Sequence, residues 1–235
     1  MQTVTLNFYR FDTAGARLWA LAMMAIARTP LSRVSGLAFW KLCGSGGGEG
    51  FTPRVSIDVF AILCVWPDME TAERQTRKAK IFQRYRRRAS ESWTVFLTPV
   101  SARGAWSGVS PFTPSKSEPV GPIAALTRAT IKPSILMRFW QRVPDISRVI
   151  GADPNVAFKI GIGEMPLIQQ VTFSIWPNDK AMADFARKPD GPHAKAIKAV
   201  RDGSWFQEEL YARFRILGES GSWNGGSPLK GLISE

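Results

Sequence analysis

Few side chains in this sequence are suited to bond-making chemistry, and the scarcest type is histidine. The one histidine, His193, stands in Asp190-Gly191-Pro192-His193-Ala194-Lys195. Gly191 and Pro192 mark a helix start, after which Ala194, Ile197 and Val200 share one face and Lys195, Lys198 and Arg201 turn away. A lone imidazole is commonly a solvated or satisfied core residue. With no second ligand near it in sequence, it cannot build a protein-only zinc or iron site. It does suffice as the single axial ligand of a haem, whose porphyrin supplies the other nitrogens. Both readings stand at this point.

Hydrolytic machinery is not legible. A serine triad would have to use His193, and there is neither a Gly-x-Ser-x-Gly elbow nor a serine placed beside that residue. Cys43 and Cys64 lie in apolar, strand-like segments and read as buried free thiols of a reducing cytoplasm. The glycine-rich stretch from Gly44 to Gly50 lacks the Gly-Lys-Ser/Thr ending of a phosphate loop. It reads as a hairpin loop and a candidate pocket lid.

The elements that must carry these residues follow from pattern. Strands are predicted at Val4 to Phe11, Leu37 to Cys43, Ile57 to Trp66 and Trp93 to Val100, with helices at Ala14 to Arg28, Met69 to Lys78 and Lys80 to Ala89. Thr29-Pro30 closes the first helix, whose apolar residues cover more than one stripe and predict good burial. Residues 109–121, rich in Pro and Ser, read as a linker. The order then restarts: strands at Ile123 to Ile131, Val156 to Ile162, Gln169 to Trp176 and Glu209 to Leu217, and helices from Ser134 to Val143, through Arg187, and from His193. Four matches in order support an internal repeat. Trp66-Pro67-Asp68 aligns with Trp176-Pro177-Asn178, Trp93 with Trp205, Trp106-Ser107-Gly108 with Trp223-Asn224-Gly225, and Arg17-Leu18-Trp19 with Arg138-Phe139-Trp140.

The expected fold is therefore α+β: two ferredoxin-like repeats in one chain, packed sheet to sheet as an α+β barrel. Repeat 1 would span 1–108, the linker 109–121, and repeat 2 with His193 would span 122–235.

Composition narrows the partners. The 235 residues are 45% hydrophobic and 21% charged, which is globular, and nine Trp with fourteen Phe suit a pocket for a large flat or polyene-like ligand. The net charge of +12 favours anionic partners. The basic helix with Arg84, Arg86, Arg87 and Arg88 could be a plain solvated face, or could dock an anionic membrane or an acidic ferredoxin. Nucleic acid is not expected, because the aromatic RNA-binding run of ferredoxin-like sheets is missing. No secretory signal is legible, and the longest uncharged helical run, Leu18 to Ala27, is far short of the ~20 residues that span a bilayer. A cytoplasmic protein, peripheral at most to the inner membrane, is the expectation.

Several longer runs carry a resemblance. Phe39-Trp40-Lys41-Leu42-Cys43-Gly44-Ser45-Gly46, Gly48-Glu49-Gly50-Phe51-Thr52-Pro53, Glu91-Ser92-Trp93-Thr94-Val95-Phe96-Leu97, Ser101-Ala102-Arg103-Gly104 and Trp205-Phe206 through Phe214 resemble the spheroidene monooxygenase family. The resemblance implies a haem b oxygenase of carotenoid biosynthesis in photosynthetic bacteria. Such an enzyme uses O2 and reduced ferredoxin or a similar electron donor to oxidise an acyclic carotenoid beside its methoxy end, spheroidene to spheroidenone. It also implies the dimeric α+β barrel superfamily. Under it, His193 is the axial ligand of the haem iron, and a thiolate alternative would have only Cys43 and Cys64. Arg128 and Arg213 become candidates for a catalytic distal donor or a propionate partner, against an ordinary place on a solvated strand. Lys41, Ser45, Gly46, Gly50, Phe51 and Thr52 would gate a substrate tunnel. A haem- or lipid-carrying barrel without turnover and, more weakly, an RNA-binding module are the alternatives.

Overall fold

Thr3–Arg10 alternates Val4, Leu6 and Phe8 with Thr3, Thr5, Asn7 and Tyr9, and both sets are buried. A strand buried on both faces must separate two cores. That is its position in the computed structural model, which describes residues 1–46, 55–115, 121–141, 156–165, 167–187 and 204–232.

The described residues form eight strands: β1 (Thr3–Arg10), β2 (Phe39–Gly46), β3 (Val55–Trp66), β4 (Glu91–Gly104), β5 (Ile123–Ile131), β6 (Phe158–Met165), β7 (Gln169–Trp176) and β8 (Phe206–Gly221). They form a closed antiparallel barrel in the order β1-β3-β2-β6-β7-β5-β8-β4. Closure gives every strand a neighbour on both sides. One junction between the two halves is long, with β4 paired to β8 from Trp93↔Gly221 to Gly104↔Leu210. The other is short, Gly44↔Gly163 and Ser45↔Ile162 between β2 and β6. The two strand sets thus join edge to edge, and their inner faces share one core.

That lumen is filled by side chains. Phe8 stacks on Trp93 at 5.4 Å between ring centroids, and Phe158 meets Trp93 edge-on at 4.7 Å. Leu126, Phe173, Phe214 and Trp223 complete the packing. A second core lies outside β1–β4, under α1 (Ala14–Ile26), α2 (Arg28–Ser32), α3 (Met69–Lys78) and α4 (Lys80–Arg88). Tyr9, Phe60, Ile62, Cys64 and Trp66 point into it from the sheet, and Met23, Leu31, Phe82 and Tyr85 from the helices. The outer face of β5–β8 has a smaller described cover, with Ile123, Trp176 and Met182 under α5 (Asp179–Arg187).

The same device starts a helix after each of two strands. The Asp68 carboxylate accepts the Thr71 amide at 2.7 Å, and the Asn178 side chain accepts the Ala181 amide at 2.8 Å. Each follows a Trp-Pro pair that ends a strand, as the sequence alignment of Trp66 with Trp176 predicts.

Other expectations shift. Pro30 does not end the helical run: α1 stops at Ile26, and Pro30 sits in the first turn of α2, where its missing N–H costs nothing. β4 continues through Pro99 because a register shift between Pro99 and Ser101 removes the ladder bond that proline cannot make. The beginning of the expected linker is strapped to the barrel. The Thr113 amide donates to Gln2 Oε1 at 2.7 Å, and Phe112 is buried edge-on against Phe214 at 5.1 Å. Among the described residues no helix is long and apolar enough to cross a membrane.

Candidate functional site

Period-two alternation decides which side of the wall each strand residue serves. In β5, Ala124, Leu126 and Arg128 face the lumen, while Ala125, Thr127 and Ala129 face out. In β8, Leu210, Ala212, Phe214 and Ile216 face in, so Arg213 and Arg215 face out. Arg128 and Arg213 therefore lie on opposite sides of one sheet. They cannot serve a single ligand, and the sequence-based grouping of the two is corrected by their parity.

Arg128 is 1% exposed and closes one end of the barrel. Its guanidinium pairs with Glu208, stands 4.0 Å from Glu164, and lies 5.8 Å from the centroid of the buried Trp106 ring. Glu208 also accepts the Ser107 and Gly108 amides at 3.0 and 2.7 Å. Burial pushes the Glu208 carboxyl up. The Gly108 and Ser107 amides and then Arg128 outweigh it, holding the group below the usual carboxylate range. Lys41 joins the cluster through Glu164 at 2.9 Å and Ser107 Oγ at 2.5 Å, and Glu164 accepts the Trp106 indole N–H at 2.5 Å. Two cations face two carboxylates here, so the charge is compensated internally, although Arg128, like Arg215, keeps a buried Nε with no hydrogen-bond partner among the described residues. This placement engages Arg128 and Lys41 in ion pairs within the chain. The cluster is a latch. Of its other members, Trp106 enters the sequence reading only through the repeat, and Glu164 and Glu208 are not singled out there; nothing in their local spacing joins them.

The outer face of β5–β8 is different in kind. Across the first half, the register places Leu42, Ile62, Asn7 and Thr94 in one row, with Leu42, Ile62 and Asn7 buried under helices. The corresponding row of the second half is Gly161, Thr172, Thr127 and Tyr211. Thr127 and Thr172 are half-buried, and no side chain of β6, β7 or β5 in that row is larger than threonine. The next row runs Lys159, Ser174, Ala125 and Arg213. Such a surface is a shelf of small side chains between two cationic edges, Lys159 on β6 and Arg213 with Arg215 on β8. Arg213 pairs with Asp179 at 3.1 Å, and Arg215 keeps a buried Nε with no hydrogen-bond partner. An orphaned buried guanidinium N–H is costly, and it fits an anionic group that ends against this edge.

The remaining candidates fall as follows. His193 lies outside the described residues, within 188–203, the stretch that joins α5 to β8. Ser45 and Gly46 end β2 at the short seam with β6, while Gly50, Phe51 and Thr52 lie outside the described residues. Cys43 is buried in the lumen core and Cys64 in the first helix core. Burial drives both thiols far above their ordinary range, so both are held protonated and neither is a ready thiolate ligand. Phe39 and Phe158 are also spent on the lumen core, which removes them as RNA-stacking groups. The shelf residues Gly161, Thr172, Thr127 and Arg215 escaped the sequence reading. The alternation of small residues in β5 and β7 was a signal that could have found them.

No family model matches the chain. Spheroidene monooxygenase of Cereibacter sphaeroides is 52% identical over 230 residues, covering 97% of this chain and 71% of that protein. Spheroidene monooxygenase of Rhodobacter capsulatus is 47% identical over 238 residues, covering 100% of this chain and 98% of that protein. A third spheroidene monooxygenase, from Rubrivivax gelatinosus, is 35% identical over 210 residues, covering 89% and 80%. Among solved structures, an aldoxime dehydratase matches with a TM-score of 0.61 at 11% identity, over 92% of this chain and 82% of that one. An aldoxime dehydratase in complex with butyraldoxime gives 0.60 at 9% identity, over 92% and 80%. This second likeness is one of fold alone.

Proposed function

This chain belongs to the spheroidene monooxygenase family, and on that premise we propose that it places a keto group beside the methoxy end of an acyclic carotenoid, converting spheroidene to spheroidenone. Two oxygenations at one carbon balance this change. Each takes one O2, two electrons and two protons, inserts one oxygen atom into a C–H bond and releases the other as water. Loss of water from the resulting gem-diol leaves the ketone. Reduced ferredoxin or a similar protein supplies the electrons.

The shelf is the observation that carries the cofactor reading. A haem b is flat, apolar across its face and anionic at its propionates, and it would supply the activation of O2. Gly161, Thr172, Thr127 and Ala125 leave room for the ring, and Arg213 and Arg215 suit the propionates. His193, the chain's one histidine, is the axial ligand in this reading. The protein's own part is to hold the ring against a wall of small side chains, match its negative charge and keep water from the reacting carbon.

The fold reading is finer than the barrel itself. Residues 1–108 and 122–235, joined by 109–121, are two ferredoxin-like repeats of a dimeric α+β barrel. The matching strand orders β4-β1-β3-β2 and β8-β5-β7-β6 support it.

The test is an absorption spectrum of protein expressed with haem supplied, wild type beside His193→Ala, followed by turnover. A Soret band lost or strongly shifted in the variant is expected, together with O2-dependent ketone formation from the carotenoid. A band intact in both overturns His193 as ligand. No band in either overturns the cofactor, and a band without turnover in the presence of reductant favours a binding barrel.

A further inference from the structure

Helix α1 has an apolar face that none of the described residues covers. Ala20 and Met23 pack inward, yet Leu18, Leu21 and Ile26 are 63%, 48% and 59% exposed, and Ala22 and Ala25 are exposed with them. These positions follow i, i+3, i+4, i+7 and i+8, so they form one continuous stripe along the helix. Scattered apolar side chains on a surface are ordinary, but a contiguous helical stripe marks a contact surface.

Its surroundings identify the contact. From Ala14 to Arg33 there is no acidic residue, and α1 holds a single charge, Arg17, which is paired with Asp58 at 2.9 Å. Exposed cations stand beside the stripe. Arg28 and Arg33 follow its C-terminal end. On the flank, α4 brings Arg88 over the Trp19 ring at 4.8 Å, with Arg84 and Arg87 also exposed on that helix. Trp19 itself packs on Tyr85 at 5.2 Å, which fixes α4 against α1. An apolar helical stripe with tryptophan and arginines at its border is the pattern of a helix lying in a lipid interface, acyl chains under the stripe and phosphates at the rim.

We propose that α1 and the neighbouring arginines of α2 and α4 dock this protein on an anionic phospholipid bilayer. A second copy of the chain fits this face less well, because its own arginine rim and net charge of +12 would meet the same charges. The inference rests on the carotenoid reading only for its purpose: a long hydrocarbon substrate is stored in lipid, so the oxygenase works at the surface that holds it.

The experiment is vesicle flotation of the wild-type protein with phosphatidylcholine alone and with about one-third phosphatidylglycerol added. Binding to the anionic vesicles is expected. It should fall about tenfold or more in Leu18→Ser/Leu21→Ser/Ile26→Ser and in Arg84→Ala/Arg87→Ala, since both the buried apolar area and the charge contribute. All five positions are exposed, and an unchanged thermal melt checks that the variants fold. Unchanged binding in both variants, no binding to anionic vesicles, or a wild-type dimer that the triple variant dissociates would each overturn the bilayer as occupant. Flotation needs no turnover, so its outcome is separate from that of the oxygenase assay. If turnover is established in detergent, the triple variant should retain it while losing activity on vesicle-embedded carotenoid.

Discussion

Arg10 and Arg128 each face a tryptophan ring and pair with a glutamate at opposite ends of the barrel. Arg10 lies over Trp223 at 4.4 Å and pairs with Glu91 at 2.9 Å, and Glu91 accepts the Gly225 amide at 2.8 Å. Arg128 stands by Trp106 and pairs with Glu208, which accepts the Gly108 amide. Glu91 and Glu208, Trp106 and Trp223, and Gly108 and Gly225 are all separated by 117 residues. The environments differ in burial: the Arg10 side chain is 30% exposed and that of Arg128 1%.

That difference sets the first prediction. Arg128→Met removes a buried guanidinium from Glu208, which keeps its two amide donors, while Glu164 keeps Lys41; loss of that buried cation should cost about 3 kcal/mol. Arg10→Met removes a partly solvated pair and should cost about 1 kcal/mol or less. Urea denaturation of the two variants at neutral pH decides it. Equal losses would show that the latch at Trp106 is no more buried in effect than its counterpart.

Glycine is required at two further positions spaced by 117. Gly104 has φ +94°, and a Cβ there would come 2.1 Å from Glu209 O; Gly221 has φ +90°, and its Cβ would come 2.2 Å from Ser92 O. Both clashes are with backbone of the paired strand, which cannot turn aside. Gly104→Ala and Gly221→Ala should each destabilise by about 2–4 kcal/mol, combining left-handed strain with lost pairing. Thermal melts check it, with Gly108→Ala as a milder comparison: its φ is also positive, but nothing lies within 4 Å of the added carbon.

Much of the fold was legible because local signals agreed with one another. α3, β5 and β7 match their expected bounds, since a capping Asp68 and runs of β-branched and apolar residues leave little choice. Long-range pairing was less so. Trp93 aligns with Trp205 in sequence, but the 117-residue spacing of β4 and β8 makes Leu210 the equivalent of Trp93, and Trp205 precedes β8. Period-two patterns tell that Arg128 and Arg213 differ in face, yet not which face is lumen until the barrel closes. The apolar stripe of α1 read as burial for a similar reason: sequence shows that a face is apolar, not what covers it. The proposed cofactor site reads in sequence as one histidine, while the shelf proposed for it depends on rows across four strands.

Acid should act on the Trp106 latch through Glu208. Its carboxyl is held below the usual range when folded, so its contribution is complete above the unfolded carboxylate value of about 4.3 and is lost as pH falls through the lower folded value. Glu208→Gln should therefore be less stable than wild type at neutral pH, with the gap narrowing on acidification. Denaturation curves from neutral to acidic pH measure this. A gap that stays constant or widens would remove Glu208 from the acid response.

The two thiols provide a check on ligation. Cys43 and Cys64 are fully buried and held protonated, so the native protein should not react with an aromatic disulfide reagent, and both should react once it is denatured. Cys43→Ala and Cys64→Ala should keep the Soret band of wild type. Loss of the band in one variant, with the fold intact, would transfer the axial ligand from His193 to that sulfur.

The shelf can be tested with the other half's own side chains. Gly161 and Thr172 occupy the places that Leu42 and Ile62 hold in the first half, where those residues are buried under helices. Gly161→Leu/Thr172→Ile would cover the shelf with about the bulk the first half carries. Both new residues are at home in a strand, so the fold should keep its melting temperature to within a few degrees. Haem content per protein should fall at least tenfold, because a ring cannot share space with two branched side chains in a close-packed site. Arg215→Ala, which removes charge but adds no bulk, should weaken haem retention by a smaller factor. Full haem content in the double variant would place the cofactor elsewhere and leave the shelf as an ordinary sheet face.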